Sequence, residues 1–231
     1  MKESTLIDGL KRVFAYHREI CPAVSLEEGD CCLYLCTGEK RLPIFGYRAF
    51  PKFAEMKNLP LLGDRCALTV SSVAKEPLPR IVFRELDLAE YLLDSPIEHI
   101  TAYRLKNSVN LIAAMKNGTK AMLQIHSSLY GERQFRHELF TTEGMVSDRV
   151  VDTVVAQHSL NIFTADGAEA LTDADMLLYG FSPEEQECIY GAYDALHADA
   201  EEEIARGERL TTIVHAVLTA DGTYRAGRDF E

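Results

Sequence analysis

The sequence predicts an α+β domain in which helices cover one face of a large, mostly antiparallel open sheet. Between residues 97 and 141, apolar runs of strand length follow one another, separated only by Lys-Asn, Lys-Asn-Gly and Gly-Glu-Arg. Connections that short force antiparallel neighbours. From Ser182 onward apolar residues recur at three- and four-residue steps instead, the period of a helix. The chain has 231 residues, 47% hydrophobic and 26% charged, which favours a sizeable core over disorder.

Each element has its own local reason. Ser4 suits an N-cap, and Leu6, Leu10, Val13 and His17 set a helical stripe to about Ile20, where Cys21-Pro22 ends it. "SLEEGD" reads as a loop. "CCLYLC" and "RLPIFGYRAF" read as two strands around the turn "TGEK". "FPKFAEMKNL" reads as a short helix, "RCALTVSSV" as a strand, and "RIVFRELDLAEYLL" as a helix with Leu88, Ala89, Leu92 and Leu93 toward the core. "IEHITAYRL", "SVNLIAAM", "TKAMLQIHSSLY" and "RQFRHELFTT" are successive strands, with Asn117-Gly118 a hairpin turn. "GMVSD", "DTVVAQH" and "SLNIFTA" extend the sheet or its edge. Ser182-Pro183-Glu184-Glu185 is a capping box. Ile189, Tyr193, Leu196, Ala200 and Ile204 form the stripe of the helix that follows. Gly207 reads as its stop, and Leu210, Ile213, Val214, Val217 and Leu218 as a last helix. Residues 1–43 read as an N-terminal helix plus hairpin strand, an appendage to a main domain at 44–231.

The charge balance narrows the function. The 24 basic and 36 acidic residues leave a net charge of −12, a field that repels phosphate backbones. Nucleic acid is therefore not expected as a partner. No run of apolar residues is long enough to span a membrane, and "MKESTLIDGLKRVF" lacks a signal-peptide core, so the expected location is the cytoplasm. The six cysteines, Cys21, Cys31, Cys32, Cys36, Cys66 and Cys188, lack the C-x₂-C pairs of a zinc site and read as free thiols, and no metal is expected.

One face of the sheet mixes apolar and polar groups. In "TKAMLQIHSSLY" the odd positions are a core face. The even ones, including Met122, Gln124, His126 and Tyr130, point the other way, as do Arg136, Glu138 and Phe140 in the next strand. Bulky semi-polar groups of this kind suit a protein interface. A solvated face and a small-molecule site are the competing readings. His126 and His137 read as satisfied structural histidines. A second feature is the pair Arg80 and Arg84, four residues apart at a helix start. With Glu85 they are ligand candidates, because guanidinium forks suit carboxylates and phosphates. Pairing with Glu76, Glu85 or Glu90 is the other reading.

Several phrases, in order, carry a resemblance: "GYRAFPKFAEMKN", "LLGDRCALTVSSV", "ELDLAEYLLDSPIEHITAY", "LIAAMKNGTKAMLQIHSS", "HELFTTEGMVSDR" and the closing "DALHADAEEEIARGERLTTIVHAVLTADGTYRAG". Over roughly residues 44–227 the chain resembles the C-terminal domain of the glucose–fructose oxidoreductase / inositol dehydrogenase (Gfo/Idh/MocA) family. The resemblance implies an open sheet that mediates dimers and tetramers. It also implies a preceding Rossmann domain for NAD(P), but no G-x-G-x-x-G follows a strand here. The family's Glu-Lys-Pro lysine is approached only by Lys40 in "GEKRLP". Its Asp-x-x-x-His-Asp-x-Asp motif, aligned on Asp87, puts Arg84 at the His position, Arg80 at the first Asp and Glu85 at the second. A guanidinium stays protonated and cannot shuttle a proton. The expectation is a non-catalytic homologue with no cofactor, acting as a homo-oligomer (in the simplest case a dimer). A binding module, for a ligand or for a full-length dehydrogenase, is the second reading. The alternative is an NAD(P)-dependent sugar or polyol oxidoreductase whose cofactor domain is degenerate or supplied by another chain.

Overall fold

A computed structural model describes residues 1–59, 63–129, 134–148, 159–172, 177–220 and 223–227. Helix α1 (Glu3–His17) leads into a three-stranded antiparallel sheet of β1 (Ser25–Glu28), β2 (Leu33–Thr37) and β3 (Lys40–Pro43). Two short helices follow, α2 (Gly46–Ala49) and α3 (Pro51–Asn58), then β4 (Arg65–Ala74) and the long helix α4 (Leu78–Leu93). Strands β5 (Ile97–Leu105), β6 (Ser108–Met115), β7 (Lys120–Ser127), β8 (Gln134–Thr141), β9 (Gly144–Ser147), β10 (Ser159–Thr164) and β11 (Gly167–Thr172) come next. Helices α5 (Pro183–His197) and α6 (Ala200–Thr219) and strand β12 (Thr223–Gly227) close the chain.

The main sheet has nine strands in the order β11-β10-β9-β8-β4-β7-β6-β5-β12. Every pairing is antiparallel except β4 with β7. The expected α+β class and open sheet are therefore present. Alternation in β6 and β7 sends Val109, Leu111, Ala113, Ala121, Leu123 and Ile125 into the core under α4. Helix α4 is buried nearly all round, between the sheet and α6, rather than along one stripe. That position places its polar residues Arg84, Glu85, Asp87 and Glu90 inside the protein, where each needs a partner.

Four local expectations are corrected. Ser25–Glu28 is a strand, not a loop, because it pairs with β2 in register Leu26 to Leu35. "GYRAF" turns into α2 instead of continuing β3, and lies against α5. There Gly46 and Gly191 approach so closely that a Cβ on Gly191 comes within 2.9 Å of the Gly46 Cα. Gly207 does not stop a helix. It lies inside α6, where its lack of a side chain admits the Pro43 ring. The break falls earlier, where the Asp199 carboxylate caps α6 by accepting from the Glu201 and Glu202 N–H groups at 2.9 and 3.1 Å. Strands β11 and β12 add edges that sequence patterning did not assign. "DTVVAQH" lies outside the described residues.

Residues 1–43 share a core with the rest. Leu6, Leu10, Val13 and Phe14 of α1, with Leu35 and Leu42, pack on Cys188, Ile189, Ala192 and Ala195 of α5. No described helix is long and apolar enough to cross a membrane, and no cluster of potential metal ligands exists among the described residues.

Candidate functional site

Arg80, Arg84 and Asp87 follow one another at four- and three-residue steps, so the turn of α4 stacks them on one face. All three line a cavity of about 420 Å³ between α4, the β1–β3 sheet and the start of α5. The two arginines are held by acids. Arg80 donates to the Glu28 carboxylate and to the Gly29 carbonyl oxygen. Arg84 donates to both oxygens of Glu76 at 3.0 Å each and lies over the Tyr47 ring. Glu28 is held below the usual carboxylate range by its hydrogen bond to Arg80.

Glu85, the third ligand candidate, is fully buried and does not line the cavity. It ends a chain of charges that crosses the core. Its Oε2 lies 2.9 Å from His137 Nε2; His137 Nδ1 lies 2.8 Å from Asp148 Oδ2; Lys52 Nζ donates to that same oxygen at 2.8 Å. The His137 backbone N–H also donates to Asp148 Oδ1 at 2.6 Å. A carboxylate faces each ring nitrogen, so the imidazole satisfies both only as a double donor, the imidazolium. Burial opposes that charge, but Asp148 and Glu85 outweigh burial and hold the His137 pKa up at about 9. Burial likewise opposes ionisation of Glu85 and Asp148, and the His137 charge overcomes it and keeps both low. Phe53 and Tyr47 present ring contacts at 4.9 and 5.5 Å around the imidazole. His137 is therefore a clamped structural cation, with no free nitrogen for a proton transfer in the cavity.

A second buried ionic group lies beyond Asp87. Arg48 of α2 donates to Glu203 of α6 and lies 3.7 Å from Asp194 of α5, tying three helices together. Asp87 is 1% exposed and its Oδ1 has no hydrogen-bond partner. Burial pushes its carboxyl up to about 7 despite the favourable fields of Arg48 and Arg206.

On the open sheet face, Met122, Gln124, His126, Arg136 and Phe140 are exposed, and Glu138 is buried against Arg136, with which it pairs. Tyr130 lies outside the described residues. Register lines Thr101, Ile112, Met122, Thr69 and Glu138 into one cross-strand row, and Ala67, Phe140, Met145 and Phe163 into another. Sequence reasoning missed the Lys52–Asp148–His137–Glu85 chain. The signal was available at one point: His137 shares the core-facing parity of Phe135 and Leu139, and a histidine on that face needs buried partners.

Among the described residues, the β3–α2 and β4–α4 connections lack the open glycine turn that holds a dinucleotide. Two strand-to-helix connections are relevant. At β3 to α2 the space beside Gly46 is filled by the Glu187 backbone. From β4 to α4 the chain runs Lys75-Glu76-Pro77, with no glycine and with a carboxylate where a pyrophosphate needs bare N–H groups. Lys40 is exposed in the β2–β3 hairpin and does not line the cavity.

A scan against protein-family models gives no match, and neither does a sequence search of curated proteins. Solved structures do match. An oxidoreductase from Agrobacterium radiobacter, in complex with NAD+, L-tartaric acid and magnesium, aligns with TM-score 0.58 and 12% identity over 77% of this chain and 61% of its own. Levoglucosan dehydrogenase in complex with NADH aligns with TM-score 0.58 and 14% identity over 76% and 62%. An oxidoreductase from Sinorhizobium meliloti aligns with TM-score 0.60 and 14% identity over 80% and 64%. The chain thus spans about three-fifths of the length of these structures. At such identities the likeness is one of fold: over about three-quarters of its length, the chain has the fold of Gfo/Idh/MocA-type oxidoreductases.

Proposed function

We propose that this chain is a non-catalytic homologue of the Gfo/Idh/MocA C-terminal domain that self-associates through the open face of its nine-stranded sheet. The observation that carries the reading is the band of apolar side chains on that face. Tyr103, Leu105, Ile112, Met122, Phe140 and Phe163 are 36–51% exposed there. They alternate with Thr69, Ser71, Asn110 and Gln124, the mixture of aromatic, Met and polar groups common at interfaces. Nine strands at about 4.8 Å spacing and about 20 Å of strand length offer roughly 800 Å², the contribution of one partner to a standard interface. The non-catalytic part rests on chemistry. Arginines stand where a proton-transferring His and its Asp are expected, and the buried His137 has both nitrogens engaged.

The test is sedimentation velocity on the wild type and on an Ile112→Glu/Met122→Glu variant. These two residues are cross-strand neighbours on the exposed face. The expected result is an associated wild type and a folded, monomeric variant. Equal association of both sinks the reading.

The second reading is an oxidoreductase whose nicotinamide cofactor is held by another chain. It is favoured by the structural neighbours, one in complex with NAD+ and another with NADH. NADH fluorescence titration separates the two: enhancement on adding this chain, alone or with a nucleotide-binding partner, favours the second.

A further inference from the structure

The open sheet face does not share the acidity of the chain. The chain carries 36 acidic residues, yet across β4 to β10 two of them stand on this face among the described residues. Glu138 is buried against Arg136, and Glu98, in the bulge at the start of β5, flanks His99 with Oε2 3.7 Å from its Nε2. Lys120 and Arg136 are the cations of the face, and His99 and His126 its imidazoles.

His126 differs from His99 in having no acid beside it. It is exposed near the end of β7, and no described carboxylate forms an ion pair with it. Register places Ser108 of β6 and Val73 of β4 on either side, and Gln124 is its outward neighbour along β7. Leu105 and Gln134 extend that row. The cations flanking that end are Lys75, just past β4, and Lys106, in the β5–β6 turn. Glu76 follows Lys75, but both of its oxygens accept from Arg84 of α4, on the covered side of the sheet.

We infer that protonation of His126 releases the open-face assembly, so that self-association is controlled by pH. The inference rests on the self-association proposed above. A neutral imidazole is tolerated in a semi-polar interface, whereas an imidazolium covered there loses its water and needs an acid. Two copies of this face supply none, however they are turned against each other. The same cations and the same two engaged acids stand on both sides. Covering His126 therefore requires it to stay neutral. A proton that binds only the separated chain then weakens assembly by linkage, in the range where imidazoles titrate. The sign is diagnostic. Acidification moves the chain toward its pI of about 5.1 and reduces its net charge of −12, which by itself favours association.

The test is sedimentation equilibrium of the wild type and of His126→Gln at about pH 8 and about pH 6, at one ionic strength. Two ordinary imidazoles that must shed their protons cost about fourfold each at about pH 6, so the wild-type dimer Kd is expected to rise about 15-fold. His126→Gln is expected to show no rise, whatever its affinity at the higher pH. Ring NMR of His126 in the wild type needs no variant: its titration midpoint is expected to fall as the chain is concentrated into the assembled form. A wild-type Kd that is equal or lower at the acidic pH overturns the inference and leaves self-association standing. So does an equal rise in His126→Gln, or a His126 midpoint that does not move with concentration. A wild type that is monomeric at both pH values removes the self-association itself, and this inference with it.

Discussion

Raising the pH should unfasten the buried His137 clamp. The imidazolium is fully buried between Glu85 and Asp148, and its pKa is lifted from the ordinary 6.5 to about 9. A histidine raised in this way stabilises the fold fully below 6.5, and the stabilisation disappears as pH climbs through 9. At about 1.4 kcal/mol per pH unit the whole effect is about 3 kcal/mol, and about 2 kcal/mol of it is lost between pH 6.5 and 8.5. That is a sizeable part of a typical domain's stability of about 5–15 kcal/mol. The two carboxylates have the opposite sign: held low, they stabilise above their ordinary range and lose that contribution only on acidification. The chain has no tryptophan, so far-UV circular dichroism during urea unfolding is the suitable assay. The slope of stability against pH is taken for the wild type and for His137→Gln. Subtracting the variant removes the parts due to Asp87, which titrates near 7, and to the buried thiols Cys31, Cys32 and Cys188, which are raised to about 11–12 by burial. A difference that stays flat from pH 6.5 to 8.5 refutes the imidazolium assignment. So does an NMR titration of the His137 ring with a midpoint below 7.

Other perturbations probe the helix contacts around the cavity. Glu203→Ala leaves the buried Arg48 without its α6 partner and should cost about 3–5 kcal/mol, read as a lower urea midpoint with unchanged slope. Gly207→Ala should destabilise, against the gain of about 1 kcal/mol that alanine ordinarily brings to a helix interior, because the new Cβ meets the stiff Pro43 ring at 2.9 Å. A rise in melting temperature for Gly207→Ala contradicts that packing.

Much of the scaffold was legible because it rests on short-range rules. Strand alternation in β7 correctly sorted Met122 from Leu123, and Asn117-Gly118 marked its hairpin, with Gly118 at φ 87°. The Ser182 capping box is present with both of its hydrogen bonds. What failed depended on distant contacts. Gly207 is an ordinary helix stop by local chemistry, and only the Pro43 ring explains its place inside α6. "SLEEGD" has no strand signal of its own and becomes one by pairing with β2. The ionic chain joins Lys52, Glu85, His137 and Asp148 from four separate elements, a proximity that no spacing in the sequence encodes. Sequence alone leaves the arginine pair open to ligand grip or acid pairing, and the acids beside Arg80 and Arg84 are Glu28 and Glu76. Among the described residues, Asp87 has a buried Oδ1 without a hydrogen-bond partner, and it is flanked by Leu86 and Leu88 in a stretch that reads as core.

Multi-angle light scattering on the purified chain at micromolar concentration tests the proposed self-association most directly. The expected particle mass is a multiple of the 25.9 kDa chain, twice that value in the simplest case, falling to 25.9 kDa when Ile112 and Met122 are replaced by glutamate. A wild type that remains at 25.9 kDa across the micromolar range contradicts it.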